Sequence, residues 1–275
     1  MSPLAVEPLP EYELPPVIEV VIGAQFAPIA GFLPTHLGLF WQEIRREYPA
    51  VEVAAPLAPV VERTNFRSAT ELSQVEVAAV PPLPRMFFID ATSTWLLQLQ
   101  PDRFLQNWRR SSGDQQYPRF PAVRQRFLSS WSRLFEFCGH QELAPPEVNQ
   151  LEVTYINHIE AGEGWQPAVG VSEVFRDFRW DSNARFLPVP EAIAWKASFA
   201  LPRDHGRLHV SVRQAVRRTD DAPVLLCELT ARGMPLDRQT EAIAAWIDLA
   251  REWIVRGFTD ITTDVVQRKH WKRKA

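Results

Sequence analysis

Cysteine and glycine are scarce in this chain, and long apolar runs are absent. Its 275 residues include two cysteines and 11 glycines. Two cysteines are too few for the disulfide framework of a small secreted domain, and Cys138 and Cys227 both lie in apolar patterns, so we expect buried, reduced thiols. No apolar run reaches the length of about 18 residues that a membrane helix requires. The first residues lack a basic region followed by an apolar core, so we expect no secretory signal and a cytoplasmic location without membrane contact.

The chain also lacks an excess of charge of one sign. It carries 30 Lys and Arg against 33 Asp and Glu, a net charge of -3, and this balance gives no global field that attracts nucleic acid or an acidic membrane. Proline and tryptophan, in contrast, are abundant, with 24 and 10 residues. Proline stiffens connections. Tryptophan predicts core packing, with an exposed aromatic binding face as the alternative.

Motifs for metals, cofactors and catalysis are missing as well. The sequence contains no His-Glu-x-x-His, no Cys-x-x-Cys and no acidic loop with calcium spacing, so we predict no metal site. The Gly-x-Gly at Gly162 lacks a third glycine and a following helix, and it holds an acid where a phosphate would lie. No serine occupies a nucleophile elbow. We therefore predict no cofactor and no catalytic residue, and we favour a non-enzymatic protein.

The two halves of the sequence repeat one order of elements. Pro15-Pro16 precedes a strand at 17–26, and Pro145-Pro146 precedes a strand at 150–160. Each half ends on a long amphipathic helix that contains tryptophan. We therefore predict an α+β fold of two related β-α-β-β-β-α halves, an internal duplication whose antiparallel sheets are each covered by a long amphipathic helix. The sheets either stay separate or join edge to edge. The predicted organisation is a disordered arm at 1–14, a first α+β half at 15–140, a second α+β half at 146–260, and a basic C-terminal helix or tail at 261–275.

The remaining elements follow from apolar periodicity and turn residues. In the first half we predict a helix at 34–48 ended by Pro49, strands at 72–80, 85–90 and 95–100, and the closing helix at 121–137. In the second half we predict a short helical turn at 171–175, strands at 193–201, 208–216 and 224–231, the closing helix at 238–256 with Asp237 as its N-cap, and a last helical stretch to Lys269.

Two carboxylates mark a candidate site at the junction of the halves. Glu19 is an ionisable group in a strand otherwise rich in Val and Ile, and Glu152 occupies the equivalent position of the second half. A buried carboxylate is costly unless it is paired, and Arg109 is a candidate partner. One interpretation is an internal Glu–Arg clamp. The other is a carboxylate of perturbed pKa in a cleft.

The strand at 208–216 and its continuation alternate apolar residues with polar and basic ones. His209, Arg213 and Arg217 share one face, and Lys196 adds a charge from the neighbouring strand. A solvated sheet face is one interpretation. The other is a binding surface for a phosphate-bearing ligand or an acidic protein partner.

The tail at 268–274 carries five formal positive charges. Basic residues complement a helix C-terminus, so a solvated helix end is one interpretation. Trp271 lies among these charges, and the alternative is a contact with single-stranded nucleic acid or with a protein partner.

Several motifs, spread over both halves, are those of one family. They are Pro15-Pro16-Val17-Ile18-Glu19-Val20-Val21-Ile22, Trp41–Ile44 leading to Tyr48-Pro49, Arg103-Phe104 with Asn107-Trp108-Arg109, and Tyr155-Ile156-Asn157 with Ile159. With these motifs the chain resembles a sporadically distributed bacterial family of proteins of about this length that has no established activity. His158 stands where the family often has Arg. The resemblance implies an accessory gene, such as a defence or toxin–antitoxin locus, and it assigns no catalytic residue.

Together, these features favour a binding protein that engages a partner protein, a second copy of itself or a ligand through its sheet face. Two alternatives stay open. One is an enzyme with a site at the junction of the halves, near Glu19, Glu152 and Arg109. The other is nucleic-acid binding through the basic strand face and the tail.

Overall fold

A computed structural model describes residues 8–62, 83–113, 115–166, 170–178, 186–188, 190–235, 237 and 239–274 of the chain. The strands in these ranges are β1 (Val17–Phe26), β2 (Ala50–Ala54), β3 (Arg85–Ile89), β4 (Trp95–Gln100), β5 (Arg103–Arg109), β6 (Val148–Glu160), β7 (Ala194–Ala200), β8 (Arg207–Val216) and β9 (Pro223–Gly233). The helices are α1 (Pro34–Ile44), α2 (Phe120–His140), α3 (Val171–Val174), α4 (Thr240–Ile261) and α5 (Asp264–Lys269), with a 3-10 turn at Pro202–Asp204.

All of these strands belong to one sheet. Its order is β2-β3-β4-β5-β1-β6-β9-β8-β7, and every neighbouring pair is antiparallel. The expected α+β class with antiparallel pairing is therefore confirmed. Of the two arrangements left open by the sequence, the structure has the continuous one, because β1 and β6 pair along the whole length of β1.

The hydrophobic core lies between one face of this sheet and the helices. On β1, the side chains of Val20, Ile22, Ala24 and Phe26 are at most 1% exposed and belong to the core. The helix α2 packs on β5 and β1, and α4 packs on β6, β9 and β8. Aromatic rings fill the contact between α2 and the sheet: the Trp131 ring lies 5.7 Å from that of Phe104. The long amphipathic helices therefore form because their apolar stripes are buried against the sheet.

Some element boundaries differ from the prediction. The first helix ends at Ile44 and continues as a turn, so Pro49 is not its stop. The sequence prediction missed β2, whose five residues are short for a periodic signal, and β5, whose polar residues interrupt the apolar pattern. Within the described residues of the first half, four strands follow the helix, and two of them, β3 and β4, were predicted. The strand predicted at 72–80 lies outside the described residues.

The closing helix of the second half is longer than predicted. It runs on to Ile261, whereas the sequence indicated an end near Arg256. Its N-cap is Gln239, not Asp237. The Asp237 carboxylate instead accepts a hydrogen bond from the Gln239 backbone at 2.8 Å.

The two ends of the described chain pair with each other. The backbone of Leu14 donates to the Trp271 carbonyl, and that of Lys274 donates to the Glu11 carbonyl. Within residues 8–14, the arm is therefore a paired segment and not a disordered one. Trp271 is 1% exposed, and its ring lies 4.9 Å from that of Phe258. The alternative interpretation, in which Trp271 contacts a nucleic acid or a partner, is therefore wrong, because the ring is part of the core.

Neither cysteine is a reactive group. Cys138 and Cys227 are buried and unpaired. Burial raises the pKa of the Cys138 thiol to about 11 and that of Cys227 well above its ordinary value, so the thiolate that reacts as a nucleophile is scarce at neutral pH. Of the helices that the structure describes, none has both the length and the apolar character to cross a bilayer.

Candidate functional site

The sheet has a second face, opposite α2 and α4, which we call the open face. Every second side chain of each strand lies on it, because side chains alternate along a strand. On β1 these residues are Glu19, Val21, Gly23 and Gln25, and on β8 they are Arg207, His209, Ser211 and Arg213. The side chains of this face include amides, hydroxyls and charged groups. It is therefore the part of the sheet suited to a polar partner.

A segment of the chain itself crosses the open face. After β2, residues 55–62 run across the sheet from β4 towards β8, and we call this segment the strap. Leu57 is bound by Gln100 on β4, Val60 by Gln25 on β1, and Glu62 by Gln150 on β6. The strap thus runs across the strands, whereas a strand added to a sheet runs along them.

Three glutamine amides hold the strap by its backbone. Gln100 accepts from the Leu57 N–H at 2.9 Å and donates to the Leu57 carbonyl at 3.0 Å. Gln25 accepts from the Val60 N–H at 3.1 Å and donates to the Val60 carbonyl at 2.9 Å. A glutamine side chain carries the same donor and acceptor as a peptide group. This recognition therefore requires an extended backbone and does not depend on the side chains of the segment that is bound.

Gln150 is the third glutamine that holds the strap. Its oxygen accepts from the Glu62 N–H at 2.7 Å, and its nitrogen donates to the Val60 carbonyl. Gln100, Gln25 and Gln150 are only 2%, 6% and 5% exposed, and a buried amide is costly unless it is hydrogen-bonded. The strap supplies the partners that these amides need.

The pairing register of the strands aligns the three glutamines and Arg103 in one row. Gln100 pairs with Arg103, Arg103 pairs with Gln25, and Gln25 pairs with Gln150 across β4, β5, β1 and β6. Arg103 adds a further contact to the strap, because its guanidinium donates to the Ala58 carbonyl at 3.0 Å. Side chains directly opposite on neighbouring strands are close in space. Four strands therefore place four long polar side chains in one line.

The strap sequence fits the spacing of this row. Pro56 and Pro59 are three residues apart and directly precede Leu57 and Val60, the residues held by Gln100 and Gln25. Proline favours the polyproline II conformation, in which three residues rise by about 9.3 Å. The strands β4 and β1 are two positions apart in the sheet, a distance of about 9.6 Å. With a proline at every third position, the residue after each proline therefore places its backbone N–H above every second strand of the sheet.

A carboxylate anchors the far end of the strap. Glu62 accepts from Arg207 at 2.6 Å and from the His209 ring at 2.7 Å, and its side chain is 11% exposed. Burial acts to raise the pKa of the Glu62 carboxyl, but the hydrogen bonds from Arg207 and His209 outweigh it and lower the pKa below its ordinary value. The other ring nitrogen of His209 lies 2.8 Å from the Ser198 hydroxyl. The carboxylate is thus held in its charged form by two neighbours on β8.

Of the predicted basic strand residues, the structure brings His209 to the strap. Lys196 and Arg213 lie on the same face and are exposed. Arg217 lies beyond the end of β8, where it pairs with Glu160 at 2.5 Å and Asp220 at 2.6 Å. These hydrogen bonds raise the pKa of Arg217 and lower that of Asp220 to about 2. Arg217 therefore stabilises a turn and does not belong to the strap site.

Of the two interpretations of Glu19, the structure does not show the ion pair with Arg109, although the two residues are directly opposite in the pairing of β1 and β5. Glu19 accepts from the Asn107 amide at 2.6 Å, and Arg109 donates to the Ser93 carbonyl at 2.8 Å. Burial raises the pKa of the Glu19 carboxyl, and the hydrogen bond from Asn107 and the charge of Arg109 offset this only in part.

Glu152 is not brought to Glu19 either. It pairs with Gly23 on β1 and makes an ion pair with Arg232 at 2.6 Å. Glu19 is four residues from Gly23 along the strand, about 13 Å. The two carboxylates therefore do not form an acid–base pair. Among the described residues, no cluster of three or more His, Cys, Asp or Glu side chains is placed to hold a metal ion.

Sequence reasoning missed the glutamines and Arg207. The available signal was a polar amide near one end of an otherwise apolar strand, as at Gln25 and Gln150. Comparison with known proteins adds no further assignment: no family model, curated protein or solved structure matches this chain.

Proposed function

We propose that the protein is a binding protein that holds an extended, proline-containing, acidic segment of a partner protein on its open face. The observation that carries this proposal is the grip of Gln25, Gln100 and Gln150 on the backbone of residues 57–62. The strap occupies the site in the isolated chain and shows the chemistry that a partner segment must reproduce.

The requirements on the partner segment follow from the strap. It presents two backbone positions three residues apart, with a proline before each, and a carboxylate two residues after the second position, as Glu62 follows Val60. Backbone recognition gives affinity for many sequences, and the pocket for the carboxylate adds selectivity. Arg207 and His209 are the residues that meet this acid.

The strap competes with the partner, because it is tethered beside the site. A tethered segment acts at a high effective concentration, so the partner binds the face only after the strap has opened. The apparent affinity then equals the intrinsic affinity reduced by the fraction of open molecules.

The topology supports one further part of this proposal, and a sequence resemblance supports another. In each half, the first strand lies beside the last: β1 beside β5, and β6 beside β9. We infer that the halves arose by duplication of one unit and that the β1–β6 junction added Gln150 to the row formed by Gln100, Arg103 and Gln25. The resemblance to a sporadically distributed bacterial family supports a role in a cytoplasmic accessory system, such as defence or toxin–antitoxin function.

The test uses a chain with an opened strap. The double variant Val60→Pro and Glu62→Gln removes the N–H that Gln25 binds and the charge that Arg207 binds, and it leaves the open face intact. A fluorescent peptide with the sequence of residues 55–62 is then titrated against the full-length variant by fluorescence anisotropy. We expect binding to the opened chain at least tenfold tighter than to the unaltered chain.

Two controls assign the binding to the proposed contacts. Adding Gln25→Met to the opened chain should weaken peptide binding about tenfold, since two hydrogen bonds are lost. A peptide with glutamine in place of its glutamate should also bind more weakly. Absence of peptide binding to the opened chain, or unchanged binding after Gln25→Met, contradicts the proposal.

A further inference from the structure

A cavity of about 370 Å³ lies on the helix-covered face of the sheet, on the other side from the strap. Its walls come from residues 10–17, the start of α2, the outer end of β6 and the second half of α4. Small-molecule sites have volumes of about 300–1,000 Å³. The aromatic residues of the lining are Tyr12, Tyr117, Phe120, Tyr155 and Phe258.

Two of these aromatic residues leave a hydrogen-bond donor without an acceptor. The hydroxyls of Tyr117 and Tyr155 lie 3.1 Å apart. Each hydroxyl has one proton, and a bond between the two uses only one of them. Burial raises the pKa of Tyr117 to about 12 and that of Tyr155 well above its ordinary value, so both stay protonated at neutral pH. One O–H of the pair therefore needs an acceptor, and within the described residues none is found.

Arg251 brings a positive charge to the same place. Its guanidinium lies 5.1 Å from the centre of the Phe120 ring, and its charge acts to lower the pKa of Tyr155, although burial outweighs this effect. Its Nε is buried and has no hydrogen-bond partner. A buried donor without a partner costs free energy, so the cavity favours a ligand that supplies acceptors.

The nearest acids on α4 do not neutralise Arg251. Asp248 pairs with Arg124 at 2.8 Å, and Glu252 pairs with Arg256 at 2.9 Å. The acid in the cavity lining, Glu11, pairs with Lys274 at 3.0 Å. Across the described residues, no carboxylate forms an ion pair with Arg251.

We infer that this cavity binds a small carboxylate whose planar, apolar body lies among the aromatic rings. The carboxylate accepts hydrogen bonds from Arg251 and from the free hydroxyl of the tyrosine pair, and the rings of Tyr12, Phe120 and Phe258 contact the body. The other guanidinium of the lining, Arg119, donates to the backbone carbonyls of Tyr12 and Glu13. Arg251 is left to match one negative charge, which favours a carboxylate over a doubly charged phosphate. Aromatic walls favour a planar body through offset or edge-on ring contacts.

The experiment uses 1-naphthylacetate and its uncharged match, 1-naphthylacetamide, as probes. Each is titrated into the full-length protein by isothermal titration calorimetry up to 5 mM. We expect the carboxylate to bind at least tenfold more tightly than the amide. Equal binding of the two probes, or no binding of the carboxylate, overturns the inference without the use of any variant.

Three variants then place the ligand. Arg251→Met keeps the length of the side chain and removes its charge, so it should abolish the preference for the carboxylate. Val255→Trp fills the cavity from α4 and should weaken binding of both probes at least tenfold. Arg133→Met removes a cation of α2 that is absent from the lining and pairs with Glu47, away from α4, and it should change nothing. A carboxylate preference that survives Arg251→Met in a chain with an unchanged circular dichroism spectrum overturns the inference.

The outcome is independent of the open face. Because the strap lies on the other side of the sheet, Val255→Trp should leave binding of the 55–62 peptide to the opened chain unchanged.

Discussion

Replacement of Gln25 by methionine tests whether the strap is held as one unit. Methionine keeps the length of the side chain and removes both hydrogen bonds to Val60. A hydrogen bond contributes about 0.5–1.5 kcal/mol net, so the free energy of strap opening should fall by about 1–3 kcal/mol. Gln25 also accepts from Arg103, and methionine leaves that guanidinium its bond to the Ala58 carbonyl.

Amide hydrogen exchange measures this free energy at single residues. The N–H of Leu57 is bound by Gln100 and that of Glu62 by Gln150, so neither loses its own partner when Gln25 is replaced. If the strap opens cooperatively, exchange at both amides should accelerate by the same factor, about fivefold to 150-fold for 1–3 kcal/mol. Exchange is measured by NMR at constant pH and temperature.

The control is Lys196→Met, which alters an exposed residue of the same face on β7. It should leave exchange at Leu57 and Glu62 unchanged. Faster exchange at Val60 alone would refute the reasoning, because each glutamine would then hold only its own residue and the strap would not open as a unit.

Three further predictions concern the fold. Trp271→Ala should lower the free energy of unfolding by about 3–5 kcal/mol, as measured by urea denaturation, because this ring is 1% exposed in the core. Gly233→Ala should lower the free energy of unfolding by about 1–3 kcal/mol in the same assay, because the new Cβ would lie 1.8 Å from the carbonyl oxygen of His205. Gly38→Ala is the control, and it should not destabilise the chain because the space around Gly38 is open. Glu19 has a raised pKa in the folded state, so the folded chain binds more protons than the unfolded one, and stability is lost as pH rises through the ordinary glutamate range and above it. Glu19→Gln should therefore gain stability relative to the unaltered chain between pH 4 and pH 7, and a difference that does not change with pH would contradict this assignment.

Local patterns predicted most of the elements. The strand β1 was placed at 17–26, as observed, because a run of apolar residues follows two prolines. The closing helices were found from their apolar stripes, since a helix in contact with a sheet must bury one face. The strand β5 was missed because Arg103, Gln106 and Asn107 interrupt its apolar residues. Gln106 is fully buried on the helix side of the sheet, and Asn107 holds Glu19 on the open face. Contacts with other elements of the fold therefore explain these polar residues, and the sequence of β5 alone does not show those contacts.

The strap site illustrates what local patterns omit. Gln25 and Val60 are 35 residues apart, Gln100 and Leu57 are 43 apart, and Gln150 and Glu62 are 88 apart. Each glutamine, taken alone, is an ordinary polar residue. Their shared role depends on strand order and register, which align them in one row.

The amino-acid sequence by itself determined the class of this protein: an antiparallel α+β fold, two long apolar-striped helices and buried, unreactive cysteines. These properties follow from the hydrophobic effect acting on residues close together in the chain. The tertiary structure alone decided that the strands form one sheet, that Glu19 is held by Asn107, and that the strap crosses the open face to reach Arg207 and His209. Hydrogen bonds and ion pairs of this kind join residues far apart in the chain, and they form only after the sheet has set the distances between its strands.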